Sequence, residues 1–376
     1  MSLFLKNFST HAEYDTYING SDAILPNVSI CTTEGDVHYN PYVPHDYSQD
    51  YFTMVVTIGG NIIWSGSTID NTLSYSKDNG ETWNTADSGT AISVEAGDKV
   101  LWKGTPTPQV FEGIGKFSGA TDVRYSVEGN AMSLLFGDNF IGKTSLSGKD
   151  SSFCNLFSGC TTVTSAENLS LPATILTDNC YQFMFSSCTS LTTAPKLPAT
   201  TLANASYASM FQGCTSLTTA PVLSAITLAN SCYTRMFQGC TNLTTAPSLP
   251  ATTLANYCYN SMFRNCTNLT TAPSLPATTL ANYCYQSMFQ GCTSLTTAPE
   301  LPATTLAQYC YYEMFSGCTS LSSIKCLATN ISASNCTKTW VSGVAASGTF
   351  TKAASTDWSV KTGTSGIPSG WSVVDA

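Results

Sequence analysis

Apolar residues return at fixed positions through the middle of this chain, in the phrase Met-Phe-x-x-Cys-Thr-x-Leu-Thr-Thr-Ala-Pro. Its phenylalanines follow one another at intervals of 26 residues: Phe185, Phe211, Phe237, Phe263, Phe289 and Phe315. A degenerate first copy has Phe157, 28 residues before Phe185. A fixed period of roughly 20 to 50 residues is typical of solenoids, in which each unit buries its apolar face only against its neighbours. The period therefore predicts a stack of about seven repeats that presents an extended surface.

Each repeat is predicted to hold one helix and one strand. Four apolar or small residues of one repeat follow the i, i+4, i+7, i+8 spacing of a short amphipathic helix: Leu280, Cys284, Ser287 and Met288. Gly291 supplies the permissive position at the end of that helix. Residues 295–298 indicate a short strand, and Pro299 ends it because proline cannot extend a sheet ladder. We therefore expect one short strand and one short helix per 26-residue turn.

Residues 51–127 have the pattern of a β-rich segment. The predicted strands are 52–58, 61–64, 73–76, 91–94 and 99–102. Clusters of Gly, Asp and Asn at 59–60, 78–80 and 96–98 are typical of hairpin turns. We expect a small β-sandwich-like domain. Within it, Ser76-x-Asp78-x-Gly80-x-Thr82-Trp83 is similar to the Asp-box of sialidases, but the motif occurs once, and we interpret it as a hairpin turn.

The predicted fold class is α+β multidomain. Residues 1–50 are an N-terminal attachment segment and 51–127 the β-sandwich-like domain. Residues 128–326 form the solenoid, with about seven repeats and an N-terminal cap. Residues 327–376 are a C-terminal cap, in which bulky aromatic residues are expected to close the open end of the core: Trp340, Phe350, Trp358 and Trp371.

Composition narrows the function classes. Charged residues make up only 10% of the chain and the net charge is −9. Without a basic stripe to neutralise phosphates, a nucleic-acid partner is not expected. No run of about 18 apolar residues occurs, so membrane insertion is not expected either. The first residues do not have the pattern of a signal peptide.

The chain has sixteen cysteines, and two interpretations of them stand. One cysteine per repeat follows each phenylalanine of the repeated phrase: Cys188, Cys214, Cys240, Cys266, Cys292 and Cys318. A second series precedes it by eight residues and would allow one disulfide per repeat. Ser206 replaces that second cysteine in one repeat, which favours a ladder of buried, reduced thiols. A metal site is not expected, because no histidine lies in the repeats and the spacing is not that of zinc ligands; no cofactor is predicted.

Tyrosine and charged residues give the candidate binding sites. One tyrosine stands in the same position of each repeat, among them Tyr259, Tyr285 and Tyr311. This column is either a platform on which sugars stack or a structural aromatic ladder between turns. The two positions after this tyrosine vary from repeat to repeat while the rest of the repeated phrase stays fixed, so we expect partner contacts there. The candidates are Arg235, Tyr312 and Glu313 at these positions, and Arg264 at a later position of its repeat.

The repeated phrase also resembles a known family. Phe289-x-x-Cys292-x-x-Leu295, followed by Pro302 and an amphipathic stretch, resembles the BspA-like branch of the leucine-rich repeats. The resemblance covers residues 150–326. It implies a curved leucine-rich-repeat solenoid used by surface adhesins of anaerobic bacteria and by related bacteriophage proteins, and it implies no catalytic residues. Residues 25–29 and 37–41 are similar to leader segments of phage virion proteins.

These patterns favour a binding or structural role over catalysis. The seven charged side chains between Thr161 and Ile324 include no pair of carboxylates at catalytic spacing. The leading hypothesis is a non-enzymatic virion-associated tail, fibre or decoration protein. It would bind other virion proteins through its N-terminal region and present the solenoid to a host-surface protein or glycan. The alternatives are a bacterial cell-surface or secreted BspA-like adhesin, and a carbohydrate-binding or purely architectural module.

Overall fold

A computed structural model describes residues 45–68, 72–119, 122–354 and 356–376, together with the backbone of three short strands nearer the N-terminus. The chain divides into two compact units, Met1–Asp46 and Tyr47–Ala376. In the first unit, β1 (Asn7–Phe8) pairs in parallel with β2 (Ser29–Thr32), which pairs antiparallel with β3 (Val37–Tyr39). The domain boundaries expected after residues 50, 127 and 326 stay predictions.

The second unit begins with eight strands and one short helix. The strands are β4 (Phe52–Ile58), β5 (Gly60–Gly66), β6 (Leu73–Ser76), β7 (Asn84–Ala86), β8 (Ala91–Val94), β9 (Lys99–Lys103), β10 (Gly115–Gly119) and β11 (Arg124–Asn130). The helix α1 spans Ser133–Phe136. All five strands predicted between residues 52 and 102 are confirmed. In β5 and β8 the buried Ile, Trp and Val side chains alternate with more exposed residues, which is the period of a half-buried strand.

These strands form two sheets. One sheet has the order β10-β5-β8, and the other has the order β12-β11-β4-β9-β6-β7, where β12 is Val163–Ser165; β13 (Leu169–Ser170) also pairs with β11. Two of the three predicted hairpins are wrong, because the turns at 59–60 and 96–98 carry the chain from one sheet to the other. The third is confirmed, since β6 and β7 pair antiparallel around residues 78–80.

The Asp-box-like motif is a hairpin turn held by its own side chains. The Asp78 carboxylate accepts hydrogen bonds from the Ser76 hydroxyl (2.7 Å) and from the Thr82 backbone N–H (2.9 Å). These bonds, the one from Ser76 first, lower the pKa of Asp78 to about 2. The motif closes the connection between two strands, as the sequence predicted.

The repeats do not have the predicted structure. Between Ser170 and Ser323, a range that the structure describes throughout, there is no α-helix and no regular strand, and α1 is the only α-helix among all described residues. The predicted leucine-rich-repeat solenoid with one strand and one helix per turn is therefore wrong, and so is the α+β class. The described residues are mainly strands and turns.

Consecutive turns take the place of the helix. In residues 257–266, alternate backbone N–H groups donate to the carbonyl three residues back, as Met262 does to Tyr259 (3.2 Å). The N–H groups between them donate to the next repeat, as Phe263 does to Met288 (2.9 Å). Every fourth residue has positive φ: Tyr257, Ser261 and Asn265, at 58°, 54° and 60°. A right-handed helix needs negative φ throughout, so these positions exclude it.

Single parallel bridges join successive repeats where the strand was expected. Thr245 with Thr271 is such a pair, and Thr253 with Thr279 forms a further bridge just before the predicted helix; both pairs are 26 residues apart. Asn282 adds a side-chain rung, because its Oδ1 accepts from the backbone N–H of Gln308 (3.2 Å) in the next repeat. The repeats are thus stacked in register by hydrogen bonds that cross between them.

One hydrophobic core continues from the sheets into the repeats. Phe157 stacks on Phe117 of β10 at 5.5 Å and on Phe185 of the next repeat at 5.2 Å. At the other end, Trp340 lies 6.2 Å from both Tyr311 and Phe315 and stacks on Trp358 at 5.6 Å. The last strands, β14 (Ser323–Cys326), β15 (Thr349–Lys352) and β16 (Ser372–Asp375), pair in parallel. In the described residues the core therefore ends in large aromatic side chains.

Candidate binding face of the repeats

The phenylalanine and cysteine columns form the frame that positions the site. From Phe185 to Phe315, the ring centroids of successive phenylalanines lie 5.7 to 5.8 Å apart, and the rings are nearly parallel. Each cysteine thiol donates to the carbonyl oxygen of the preceding repeat's phenylalanine, as Cys266 does to Phe237 (3.0 Å). Cys188, Cys214, Cys240, Cys292 and Cys318 make the same contact. The frame is uniform, so differences between repeats lie elsewhere.

The thiols of this frame are held in their protonated form. All fifteen cysteines from Cys154 to Cys336 are free and buried in the structure. Burial raises the pKa of Cys214 and of Cys266 to about 12, from an ordinary value of 9.0. Ser206 is fully buried at the position where other repeats have a cysteine. A thiolate is the reactive form of cysteine, so these residues act as small apolar groups rather than as nucleophiles or ligands.

The tyrosines predicted as candidate contacts are in the core. Tyr259, Tyr285 and Tyr311 are each 1% exposed. Their rings stack at 5.8 and 6.2 Å, and burial raises the pKa of each hydroxyl. Of the two interpretations of this column, the structure has the aromatic ladder between repeats.

The charged candidates lie at the surface. Arg235 is exposed and has φ of +56°, while Arg264 is partly buried. The Glu313 carboxylate accepts from Gln290 Nε2 of the preceding repeat at 3.1 Å. Tyr312 is partly exposed; desolvation and its hydrogen bond with Glu313 raise its pKa. Not every variable position reaches solvent: Ser209, Ser261 and Ser287 are buried.

A second column of tyrosines, which the sequence analysis did not single out, lies on the surface of three successive repeats. We call Tyr257, Tyr283 and Tyr309 the outer tyrosine column. Their rings stack at 4.4 and 4.7 Å, closer than any pair of the buried ladder. Tyr257 is 39% exposed, and the Tyr309 hydroxyl accepts from Asn335 Nδ2 at 2.7 Å. The other repeats have Asn, Ala or Ser at this position: Asn179, Ala205, Ser231 and Asn335.

A row of polar side chains in consecutive repeats has buried atoms without partners. Gln238 Oε1, Arg264 Nε and Gln290 Oε1 are each buried with no hydrogen-bond partner among the described residues. Buried polar groups are usually paired, so each unpaired atom calls for an explanation. Gln290 of this row donates a hydrogen bond to Glu313, and Arg264 of the row is one of the two arginines predicted to contact a partner. Two of these three residues, Arg264 and Gln290, belong to repeats that carry the outer tyrosine column, and Gln238 lies in the repeat before them.

Metal ligation finds no support in the parts of the chain that the structure describes. No group of three His, Cys, Asp or Glu side chains there could hold a metal ion. Of the three histidines in the chain, His11 lies outside the described residues, only the backbone of His38 is described, and His45 is described. No helix of the described residues is long and apolar enough to cross a membrane.

Comparisons with protein families, with curated proteins and with solved structures each found no match. Membership of the BspA-like family therefore stays a prediction. The turn that this family implies, with its strand and helix, does not occur between Ser170 and Ser323.

Proposed function

We propose that this protein is a non-enzymatic adhesion protein that binds a host-surface glycan or protein through the outer tyrosine column and the polar row beside it. The observation that carries the proposal is the outer tyrosine column itself. A buried and uniform frame would fold equally well with Asn, Ala or Ser at these positions, as it does in four other repeats. Three adjacent repeats nevertheless carry tyrosine at the surface.

Tyrosine suits such a face for physical reasons. The ring supplies a rigid contact area at low cost in conformational entropy, and the hydroxyl supplies a hydrogen-bonding group. Because the three rings already stack on one another, little side-chain freedom is left to lose when a partner binds. Arg235, exposed in an acidic chain, adds a hydrogen-bond donor of fixed charge.

The proposed setting is a virion, with a bacterial cell surface as the alternative. The similarity of residues 25–29 and 37–41 to phage leader segments supports the first setting. In it, the N-terminal region contacts other virion proteins and the repeats face the host.

Binding of the full-length protein to intact anaerobic bacteria, and to polysaccharide extracted from their surface, tests the proposal. Wild-type protein should be retained by at least one strain. Replacing Tyr257, Tyr283 and Tyr309 together by Asn should weaken retention by at least about tenfold, as expected for loss of aromatic anchors. Asn suits the positive φ of these positions and occurs there naturally at Asn179 and Asn335, so the fold should be kept.

A matched control removes exposed apolar groups from another column. Val222 and Ile226 are 76% and 62% exposed, and the equivalent residues include Ser248 and Thr252. Val222→Ser with Ile226→Thr should bind like the wild type, whereas Arg235→Ala with Arg264→Ala should weaken binding without lowering thermal stability. A wild-type protein that no strain or polysaccharide retains, or a triple variant that binds like the wild type, would refute the proposal.

A further inference from the structure

A tight hairpin between β9 and β10 presents two apolar side chains to solvent. Gln109 and Gly113 pair across it, with the Gln109 N–H donating to the Gly113 carbonyl at 2.8 Å. The tip is Val110, Phe111 and Glu112. Val110 is 69% exposed and Phe111 60% exposed, so neither side chain is part of the core.

The backbone of Phe111 is strained and held in place. Its φ is +62°, a left-handed conformation that a bulky side chain rarely adopts. The Phe111 N–H donates to Ser151 Oγ (3.1 Å), and its carbonyl accepts from Asn155 Nδ2 (2.9 Å). Strain that the surroundings enforce tends to occur at binding sites. Since the ring is exposed, core packing does not account for a phenylalanine here.

An open cavity lies beside this hairpin. Its volume is about 390 Å³, within the size range of small-molecule sites. Six side chains supply its polar lining: Ser65, Ser67, Glu112, Lys116, Asn155 and Ser158. Glu112 is next to Phe111 in the chain, and Asn155 is hydrogen-bonded to the Phe111 backbone. The backbone of Phe111, whose ring is exposed, is therefore held next to a cavity lined by hydroxyl, amide, carboxylate and ammonium groups.

This set of groups fits one ligand class. A neutral sugar has many hydroxyls that donate and accept hydrogen bonds, and an apolar ring face that packs on an aromatic side chain. A phosphate or other anion fits less well, because the Glu112 carboxylate shares the cavity with the single ammonium of Lys116.

We propose that this cavity binds a neutral carbohydrate, with Phe111 packing on one sugar face and Glu112, Lys116, Asn155 and Ser158 contacting its hydroxyls. The site lies where β10 and its preceding hairpin meet the first, degenerate repeat, and it does not include the outer tyrosine column. It goes beyond the adhesion proposed above and stands on separate observations.

Saturation-transfer NMR of the full-length protein with maltotriose, cellotriose and chitotriose tests the site. At least one trisaccharide should receive saturation from the wild type and none from Phe111→Gly. Glycine adopts positive φ without strain, so this variant removes the ring and should keep the hairpin. Phe111→Tyr retains a ring and should retain binding, and Glu112→Gln should weaken it by loss of a charged acceptor.

Two controls separate this site from the face of the repeats. Ile226→Thr and the triple Asn variant of the outer tyrosine column should both bind the trisaccharide like the wild type. Absence of transfer to all three sugars, unchanged transfer with Phe111→Gly, or loss of transfer in the triple Asn variant would each overturn the proposal.

Discussion

At the scale of single residues, the repeats depend on left-handed positions at regular places. The residue two after each phenylalanine of the repeats has positive φ, as in Ser187, Gly213, Gly239 and Asn265. The sequence indicated a permissive position here because Gly and Asn dominate it. Sequence reasoning interpreted it as the end of a helix, whereas it is one of several left-handed residues in a row of turns.

Gly239→Ala should destabilise the protein by about 1 to 2 kcal/mol, the usual cost of a left-handed conformation for a residue with Cβ. Space is not the cause, since an added Cβ would meet its nearest atom, Gly213 Cα, at an ordinary 3.7 Å. Urea unfolding measures the change. Asn265→Gly is the matched control and should stay within about 0.5 kcal/mol of the wild type. Equal stability of Gly239→Ala and wild type would contradict the left-handed assignment.

The sequence predicted the buried phenylalanine and cysteine columns better than it predicted the candidate binding residues. Identical Phe and Cys at a fixed period imply burial, and these residues are buried. The outer tyrosine column was missed because Tyr257 and Tyr283 stand two residues before the more regular buried tyrosines. Residues two apart, such as Tyr257 and Tyr259, share a face in a regular strand, but that rule does not hold in an irregular backbone. Tyr257 is 39% exposed and Tyr259 only 1% exposed, and nothing in the sequence pattern reports that difference.

At the scale of elements, the difference between a helix and a row of turns is a matter of period. Buried pairs recur every four residues in the repeat, as in Tyr259 followed by Phe263. A helix has 3.6 residues per turn. Over the nine or so residues of one repeat, the two periods place apolar residues almost alike, so pattern alone favoured the commoner structure. Stacking of neighbours decides the outcome, because half of the donors find their acceptors in the next repeat.

The thiol column should make the fold sensitive to alkali. Burial raises the pKa of Cys214 to about 12 from 9.0. Below pH of about 9 the thiol is protonated in both the folded and the unfolded chain, so the full stability is present. Above that, the unfolded chain releases protons that the folded chain holds, and stability falls by about 1.4 kcal/mol per pH unit and per thiol until the folded pKa is reached.

Urea midpoints measured across pH should therefore be level near neutrality and fall steeply above pH of about 9. Buried tyrosines such as Tyr207, whose pKa burial also raises, add to the fall at higher pH. Thiol counting in denaturant without reductant is the control and should find most cysteines free. A level midpoint through the alkaline range, or a chain largely bridged by disulfides, would contradict the reduced column.

At the scale of the whole molecule, the 26-residue period predicted the main organisation. Repeats stack in register, and the core continues from Phe157 to Trp340, as an open stack between aromatic ends requires. The strands before the repeats were also predictable, because β-branched and aromatic residues alternate there. Their pairing was not: β4 and β5 follow one another in sequence but belong to different sheets. Long-range pairing depends on tertiary packing, which a local pattern does not contain.

The arrangement of the backbone in residues 257–266 decides the account, because consecutive turns replace the predicted helix there and include Tyr257 of the outer tyrosine column. Backbone Cα chemical shifts of this segment, measured by NMR on the deuterated full-length protein, test it most directly. We predict Cα shifts that depart from helical values at Tyr257, Ser261 and Asn265, the three residues with positive φ. An uninterrupted run of helical shifts across the segment would contradict the structure and the binding face derived from it.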